Sequence, residues 1–250
     1  MLSRTPLALV MSLALTISAA AVPSSDTAVT AAMLKSAAVS LDKAVPETPF
    51  IHRLFRPTNP SGRTIIMLHG SGGDETTLAS LAEAIAPDAT LIGIRGRIVQ
   101  DGVKRWYKRI TATEFDQTDV RTEADAFVKF LNTLATENRL DLSNVTFLGY
   151  SNGANLIAAL TQLHPDLVRS AVLLRAMPVL QDAPKVDLSQ TRILTIAGER
   201  DTLYFPFAPK LADRLRSCGA RVDARVIGSD HGLGKEDVRI VAEWLGNAGR

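Results

Sequence analysis

Cysteine, aromatic residues and net charge are all scarce in this chain of 250 residues. Cys218 is the single cysteine, so no internal disulfide can form; no motif surrounds it, which disfavours a thiol nucleophile. Aromatic residues make up only 5%, too few for a platform that stacks nucleic-acid bases. A formal net charge of +2 gives no reason to expect nucleic acid or a strongly anionic surface as the main partner. The hydrophobic share of 46% is enough for a large core.

Long apolar runs are also missing, except at the N-terminus. Residues 1–4 give a short basic start, residues 6–21 are apolar or small without a charge, and residues 18–21 suit a signal peptidase. This order predicts a signal peptide over residues 1–21 and export to the periplasm or beyond the cell, with no membrane span left after cleavage. An uncleaved anchor is the alternative, because about 20 apolar residues span a bilayer. Residues 22–47 are interpreted as a linker and residues 48–250 as one domain.

Beyond residue 48, short β-type runs alternate with longer runs of helical periodicity. The predicted strands cover 50–56, 64–68, 90–94, 145–150, 171–174, 193–197 and 222–227, and the predicted helices cover 78–85, 120–134, 154–163, 208–217 and 235–245. Most of these strands lack strict alternation, which indicates the α/β class: a mostly parallel sheet with helices on both faces. No insertion is long enough for a large cap. Ligands of such sheets bind at the carboxyl ends of strands, so functional residues are expected in the loops that follow strands.

One serine stands between a predicted strand and a predicted helix, with a glycine two residues to either side. Gly149-Tyr150-Ser151-Asn152-Gly153 fits the G-x-S-x-G nucleophile elbow. Bulk at either glycine would collide with the neighbouring elements. The serine at the apex would lie at a helix N-terminus, whose free N–H groups stabilise negative charge. The pattern predicts Ser151 as a nucleophile, and the alternative is a tight turn with an incidental serine.

A serine hydroxyl is a weak nucleophile unless a base, held by a third group, activates it. Where such an elbow occurs, the chain order is serine, acid, histidine, which leaves His164 and His231 as bases. His164 ends the elbow helix, whereas His231 follows the last strand, so His231 is the predicted base. The acid belongs to the loop after the preceding strand, where Asp201 is preferred and Glu199 is the competitor.

Acyl transfer also needs two N–H donors aimed at the charge that develops on the carbonyl oxygen. One is normally the residue after the nucleophile, here Asn152. The other belongs to the loop after an early strand, L-H-G-S-G-G-D-E at 68–75, where the N–H of Ser71 is the predicted donor. A dinucleotide or phosphate loop is the rival interpretation, but the full G-x-G-x-x-G spacing and a Walker lysine are missing. His69 is interpreted as a brace for this loop rather than as a base.

Four motifs in this order resemble the small carboxylesterase and phospholipase branch of the α/β-hydrolase superfamily, the branch related to dienelactone hydrolases and acyl-protein thioesterases. They are the loop at 68–75, G-Y-S-N-G-A-N at 149–155, A-G-E-R-D-T-L-Y-F-P at 197–206 and G-S-D-H-G-L at 228–233. The resemblance implies an α/β-hydrolase fold. It also implies Ser151, Asp201 and His231 as nucleophile, orienting acid and general base, with the N–H groups of Ser71 and Asn152 as the oxyanion hole.

The expected function is hydrolysis of a small-molecule carboxylic ester through an acyl-enzyme, without a metal or organic cofactor. A thioesterase or a lysophospholipase would use the same triad, and a catalytically silent binding protein on the same fold is the alternative of a different class. No oligomeric state is indicated. A basic stretch at 95–109 surrounds Trp106 and Tyr107. It is interpreted as a solvated loop anchored by its aromatic residues, with a pocket wall that favours an anionic group as the alternative.

Overall fold

An eight-stranded sheet forms the centre of the described part of the chain. The computed structural model describes residues 40–41 and 50–247. Its strands are β1 (Ser40–Leu41), β2 (His52–Arg56), β3 (Thr64–Leu68), β4 (Thr90–Ile94), β5 (Ile98–Gln100), β6 (Val103–Arg105), β7 (Val145–Tyr150), β8 (Ser170–Leu174), β9 (Arg192–Gly198) and β10 (Arg221–Ile227). Its helices are α1 (Ala79–Ile85), α2 (Gln117–Asn138), α3 (Asn152–Leu163), α4 (Ala208–Ser217) and α5 (Lys235–Gly246).

The sheet has the strand order β1-β2-β4-β3-β7-β8-β9-β10. The six strands from β4 to β10 in this order pair in parallel, while β2 is antiparallel to β4 and β1 is antiparallel to β2. Parallel neighbours need a crossover that packs on a face of the sheet, and the helices supply it. The predicted fold class, with a mostly parallel sheet, is confirmed.

Helices cover both faces of the sheet because successive residues of a strand point to opposite sides. In β3, Ile66 and Leu68 belong to the apolar cluster that contains buried residues of α2, α3 and α4. Ile65 and Met67 belong to the second cluster, which contains residues of α1 and α5. β3 therefore contributes to two cores. Within the described residues, no helical cap is inserted over the sheet.

The predictions for the N-terminal segment fall almost wholly outside the described residues. The signal peptide over residues 1–21 lies outside them, and so does most of the linker over residues 22–47. Ser40–Leu41, however, pairs with β2, with Leu41 opposite Phe55. The structure thus places two residues of the segment interpreted as a linker at the edge of the sheet. Among the helices that the structure does describe, none is long and apolar enough to cross a membrane.

The carboxyl ends of the parallel strands bring four of the predicted site loops to one edge of the sheet. These loops carry Ser71 after β3, Ser151 after β7, Asp201 after β9 and His231 after β10. The hairpin of β5 and β6 follows β4. It is hydrogen-bonded to the loop that carries Ser71, since the N–H of Gly72 donates to the carbonyl of Lys104 over 2.8 Å. This hairpin was not predicted from the sequence.

Candidate active site

Ser151 occupies a strained turn between β7 and α3. Its backbone has φ +50° and ψ −114°, a combination that residues with a side chain rarely adopt. The turn persists because its surroundings determine it: the N–H of Ser151 donates to the carbonyl of Leu174 at the end of β8 over 2.8 Å. The side chain is thereby presented at the N-terminus of α3, where backbone N–H groups lack partners within the helix.

The glycines on either side of Ser151 stand where two elements nearly touch. A Cβ at Gly149 would lie 2.6 Å from Cα of Ala154 in α3. A Cβ at Gly153 would lie 2.2 Å from the carbonyl oxygen of Leu68, at the end of β3. Neither glycine has a positive φ, so close packing rather than backbone freedom requires glycine at both positions. The first turn of α3 can therefore pack directly against the end of β3.

The structure brings Ser151, His231 and Asp201 into one chain of hydrogen bonds. The carboxylate of Asp201 can only accept, so Nδ1 of His231 carries the proton and donates to Oδ2 of Asp201 over 2.6 Å. Nε2 of His231 is then an acceptor and receives the hydroxyl proton of Ser151 over 2.9 Å. Asp201 is 4% exposed, and its other oxygen accepts from the N–H groups of Leu203 and Tyr204. The acid is thus held from both sides.

The competing candidates Glu199 and His164 lie elsewhere, and so does the side chain of Asp230. Glu199 is exposed. His164 ends α3, roughly 18 Å from its N-terminus at 1.5 Å per residue, and Nε2 of its ring lies 2.8 Å from a carboxylate oxygen of Asp125. Asp230, next to His231, accepts from the N–H of Gly232 through its side chain. None of these residues contacts Ser151 through a described hydrogen bond.

Arg175 holds the loop that carries His231, a role that was not predicted from the sequence. It follows β8 with φ +52° and is 1% exposed. Its guanidinium donates to the carbonyl of Asp230 over 3.0 Å and to that of Gly232 over 2.8 Å, the two neighbours of His231 in the chain. It also forms a two-pronged ion pair with the buried carboxylate of Asp237 in α5. The position of the imidazole therefore depends on this buried cation.

Two tyrosines flank the imidazole of His231. The Tyr204 ring meets it edge-on, with centroids 5.0 Å apart and an interplanar angle of 88°. The hydroxyl of Tyr150 donates to the carbonyl of His231 over 3.0 Å. Burial raises the pKa of both phenols above the usual value of 10.0, so both hydroxyls keep their protons at neutral pH. The two rings limit the rotation of the imidazole.

The backbone N–H groups of Ser71 and Asn152 have no described hydrogen-bond partner. The loop of Ser71 lies against the elbow, since a Cβ at Gly70 would lie 3.5 Å from Cβ of Ser151. Trp106, fully buried, joins the two sides: its backbone N–H donates to Oδ1 of Asn152 and its indole N–H to the carbonyl of His69, each over 2.8 Å. The predicted donors therefore lie on fixed backbone beside Ser151.

His69 braces the loop at 68–75, in agreement with its interpretation from the sequence. Its Nδ1 donates to the carbonyl of Gly70 over 2.6 Å, and Nε2 accepts from the N–H of Gly96 over 3.0 Å. Both ring nitrogens are used by backbone groups, so neither is free to act as a base. Burial lowers the pKa of the imidazole below its usual value, which keeps the ring neutral and preserves the bond from Gly96.

Known proteins resemble the chain in sequence and in fold. The model of the alpha/beta hydrolase fold family matches residues 63–217. MhqD of Bacillus subtilis (strain 168), a protein named as a hydrolase, is 30% identical over 189 residues, which cover 75% of this chain and 94% of that protein. A carboxylesterase structure from Mesorhizobium loti is 47% identical, with a TM-score of 0.80 over 82% of this chain and 98% of that one.

A Bacillus cereus carboxylesterase structure is 27% identical, with a TM-score of 0.76 over 80% of this chain and 94% of that one. These similarities confirm the resemblance to the small carboxylesterase and phospholipase branch that the four motifs indicated. The family model alone spans more than half of the chain. The chain therefore belongs to the alpha/beta hydrolase fold family.

Proposed function

We propose that the protein is a serine carboxylesterase in which Ser151 is the nucleophile, His231 the general base and Asp201 the orienting acid. The observation that carries the proposal is the continuous hydrogen-bond chain from the Ser151 hydroxyl through His231 to Asp201. A nucleophile, its base and a group that orients the base are the three parts that this chemistry requires. The carboxylesterase names of the Mesorhizobium loti and Bacillus cereus structures support the ester as the substrate bond.

The geometry supports a two-step reaction. Nε2 of His231 takes the proton of the Ser151 hydroxyl while Oγ attacks the ester carbonyl. The imidazolium that forms is stabilised by the buried carboxylate of Asp201, and it returns the proton to the departing alcohol. Water then attacks the acyl-enzyme by the same route, and Ser151 leaves with the proton.

The negative charge of each tetrahedral intermediate would be held by the N–H groups of Ser71 and Asn152. Preorganised donors of this kind are worth several kcal/mol of barrier, on the order of 3 kcal/mol for one donor. Here Trp106 and His69 hold both backbone segments in place before substrate arrives. The N-terminus of α3 adds a favourable dipole at the same point.

Hydrolysis of p-nitrophenyl esters from acetate to palmitate, with wild type beside Ser151→Ala, tests the proposal. We expect activity that disappears in the variant, and labelling by a fluorophosphonate probe that disappears with it. Ser217→Ala, which removes an exposed hydroxyl at the end of α4, should keep both. Equal labelling of wild type and Ser151→Ala would remove Ser151 from its role. Absence of hydrolysis with every ester would argue for a binding protein on this fold.

A further inference from the structure

The guanidinium of Arg105 is a buried cation without a carboxylate partner among the described residues. Arg105 ends β6 and is only 5% exposed. The other buried Arg, Asp and Glu side chains that the structure describes all have a partner: Glu75 with Arg95, Glu123 with Arg97, Arg175 with Asp237, and Asp201 with His231. A buried charge is costly unless it is paired and hydrogen-bonded. Arg105 is thus the exception that needs an explanation.

The unpaired group lies at the proposed oxyanion hole. Nη1 of Arg105 donates to Oγ of Ser71 over 2.8 Å, and the N–H of Ser71 is one of the two proposed oxyanion donors. The Ser71 side of the contact is open, since Ser71 is exposed. The field of Arg105 also reaches Tyr204, the ring that packs on His231. An anion that meets Arg105 would therefore lie beside the reacting atoms.

One edge of the Arg105 guanidinium has no described partner. Nη1 is occupied by Ser71, whereas Nε is buried without a hydrogen bond and Nη2 has none described. Nε and Nη2 form the edge of an arginine that binds a carboxylate through two parallel bonds. Arg95 and Arg97 use this same edge, since Nε and Nη2 of each donate to the two carboxylate oxygens of a glutamate. Two other arginines of the chain therefore bind a carboxylate through this edge.

The charged groups around Arg105 do not supply a partner for this edge. Burial, with a further contribution from the charge of Arg109, lowers the pKa of the Arg105 guanidinium. Asp101, in the turn between β5 and β6, exerts a weaker opposite field but forms no ion pair with Arg105. A guanidinium remains charged even so, because its ordinary pKa lies far above neutral. A negative group from outside the described residues would relieve the cost of burying it.

We propose that Arg105 binds a carboxylate carried by the substrate, so that the enzyme prefers esters with a second, free carboxylate. This inference rests on the proposed function and names its substrate class. A pocket wall that favours an anionic group was the alternative interpretation of the stretch at 95–109. In the structure, Trp106 and Tyr107 are fully buried and anchor this stretch. Arg105 is the residue of the stretch that we assign to the anion.

The test uses three esters that differ by one group. Ethyl hexanoate is the neutral reference. Monoethyl adipate has a carboxylate in place of the terminal methyl of the acyl chain, and carboxymethyl hexanoate has one in place of the terminal methyl of the alcohol. We expect wild type to hydrolyse at least one anionic ester with a kcat/KM about tenfold or more above that of ethyl hexanoate, since a hydrogen bond to a charged group is worth 10- to 100-fold.

Arg105→Gln should lower kcat/KM for the preferred anionic ester at least about tenfold more than for ethyl hexanoate. Arg105→Lys, which keeps the charge but not the two-pronged edge, should recover part of the preference. Arg109→Gln removes one charge from the same stretch and should change the ratio less than about threefold, as a charge in solvent does. Thermal unfolding shows whether each variant is folded.

A preference for ethyl hexanoate in wild type would overturn the inference without any variant. An equal loss on neutral and anionic esters in Arg105→Gln would overturn it too, because Arg105 would then serve only the loop of Ser71. In both cases ethyl hexanoate is still hydrolysed and the proposed function stands. The proposed function fails separately if Ser151→Ala retains the activity of wild type.

Discussion

The hydroxyl of Tyr150 donates a hydrogen bond to the backbone carbonyl of His231 over 3.0 Å. Tyr150, the residue before the proposed nucleophile, is thereby bonded to the proposed base. His231 lies 80 residues from Ser151 along the chain. The variable second position of the elbow motif is thus used here to position the histidine loop. Tyr150 acts through His231 and is a positioning residue.

Tyr150→Phe removes this bond and keeps the ring that packs on the imidazole. We expect kcat on p-nitrophenyl butyrate to fall about three- to tenfold, the worth of one neutral hydrogen bond, with little change in KM. The rate of labelling by a fluorophosphonate should fall in parallel, and the thermal unfolding midpoint should stay nearly constant. A large rise in KM with unchanged kcat would instead indicate that the hydroxyl binds substrate.

Asp201→Asn should abolish most turnover because an amide cannot hold Nδ1 of His231 protonated. The expected loss in kcat is on the order of 10³- to 10⁴-fold, as for the loss of an orienting acid elsewhere. Glu199→Gln, two residues away on an exposed side chain, serves as the matched control and should change kcat less than about twofold. A larger loss in Glu199→Gln than in Asp201→Asn would reassign the acid.

Arg175→Met should destabilise the fold strongly. It leaves the carboxylate of Asp237, which is 1% exposed, without its partner, and loss of one member of a buried pair costs about 3–5 kcal/mol. Urea unfolding measures the change. Arg239→Met breaks the exposed pair with Glu243 and should cost less than about 1 kcal/mol.

The double variant Arg175→Met, Asp237→Leu separates charge from loop support. It should regain part of the unfolding free energy, because no buried charge remains unpaired. Esterase activity should stay low in it, since the bonds from Arg175 to Asp230 and Gly232 are still missing. Full activity in the double variant would show that the His231 loop holds its position without Arg175.

Gly153→Ala should destabilise the elbow because the new Cβ meets the carbonyl oxygen of Leu68, which belongs to a buried strand and cannot move aside. Overpacking against backbone should cost at least about 2–3 kcal/mol in urea unfolding. Gly246→Ala is the control, since a Cβ at Gly246 meets nothing within 4 Å. Similar unfolding free energies for the two variants would contradict the close contact between α3 and β3.

Stability should fall as the medium becomes mildly acidic. Burial lowers the pKa of His69 below its usual value of 6.5 in the folded protein. The unfolded chain therefore takes up the proton first, and stability is lost as the pH falls below about 6.5. We expect the unfolding free energy to drop between about pH 7.5 and about pH 5.5, and to drop less in His69→Gln.

His52 should supply a further part of this drop, because burial lowers the pKa of its imidazole as well. His52→Gln combined with His69→Gln should therefore give a flatter dependence than either single variant. An unchanged pH slope in His69→Gln would show that the neutral state of its ring does not contribute to stability in this range.

The sheet and the four site loops could be predicted because their signals are local. Apolar runs such as 64–68 and 145–150 specify buried strands by composition alone, and the parallel order then brings the loops after them to one edge. The glycines around Ser151 have a steric cause that is readable from the motif. The loop after β9 contains both Asp201 and Glu199, so the pattern alone does not separate them, and the geometry places Asp201 beside His231.

Two of the features that were not predicted depend on contacts that leave little local signal in the sequence. Nothing around Arg175 marks it, because its partners lie 21 to 62 residues further along the chain. The pairing of Ser40–Leu41 with β2 involves only two residues and carries no periodicity. The β5–β6 hairpin did have a signal: Asp101-Gly102, with φ +53° and +73°, is a pair that favours a tight two-residue turn. The basic residues around it led instead to the interpretation of a solvated loop.

The strand order has a consequence for biosynthesis. Of the strands that the structure describes, β10 is the last to leave the ribosome, and its one described partner is β9. A nascent chain that has passed β9 already contains the proposed nucleophile and acid, but the proposed base at His231 is still missing. Hydrolytic competence should therefore appear only after His231 has left the ribosome, and a shorter nascent chain should stay inert toward the esters around it.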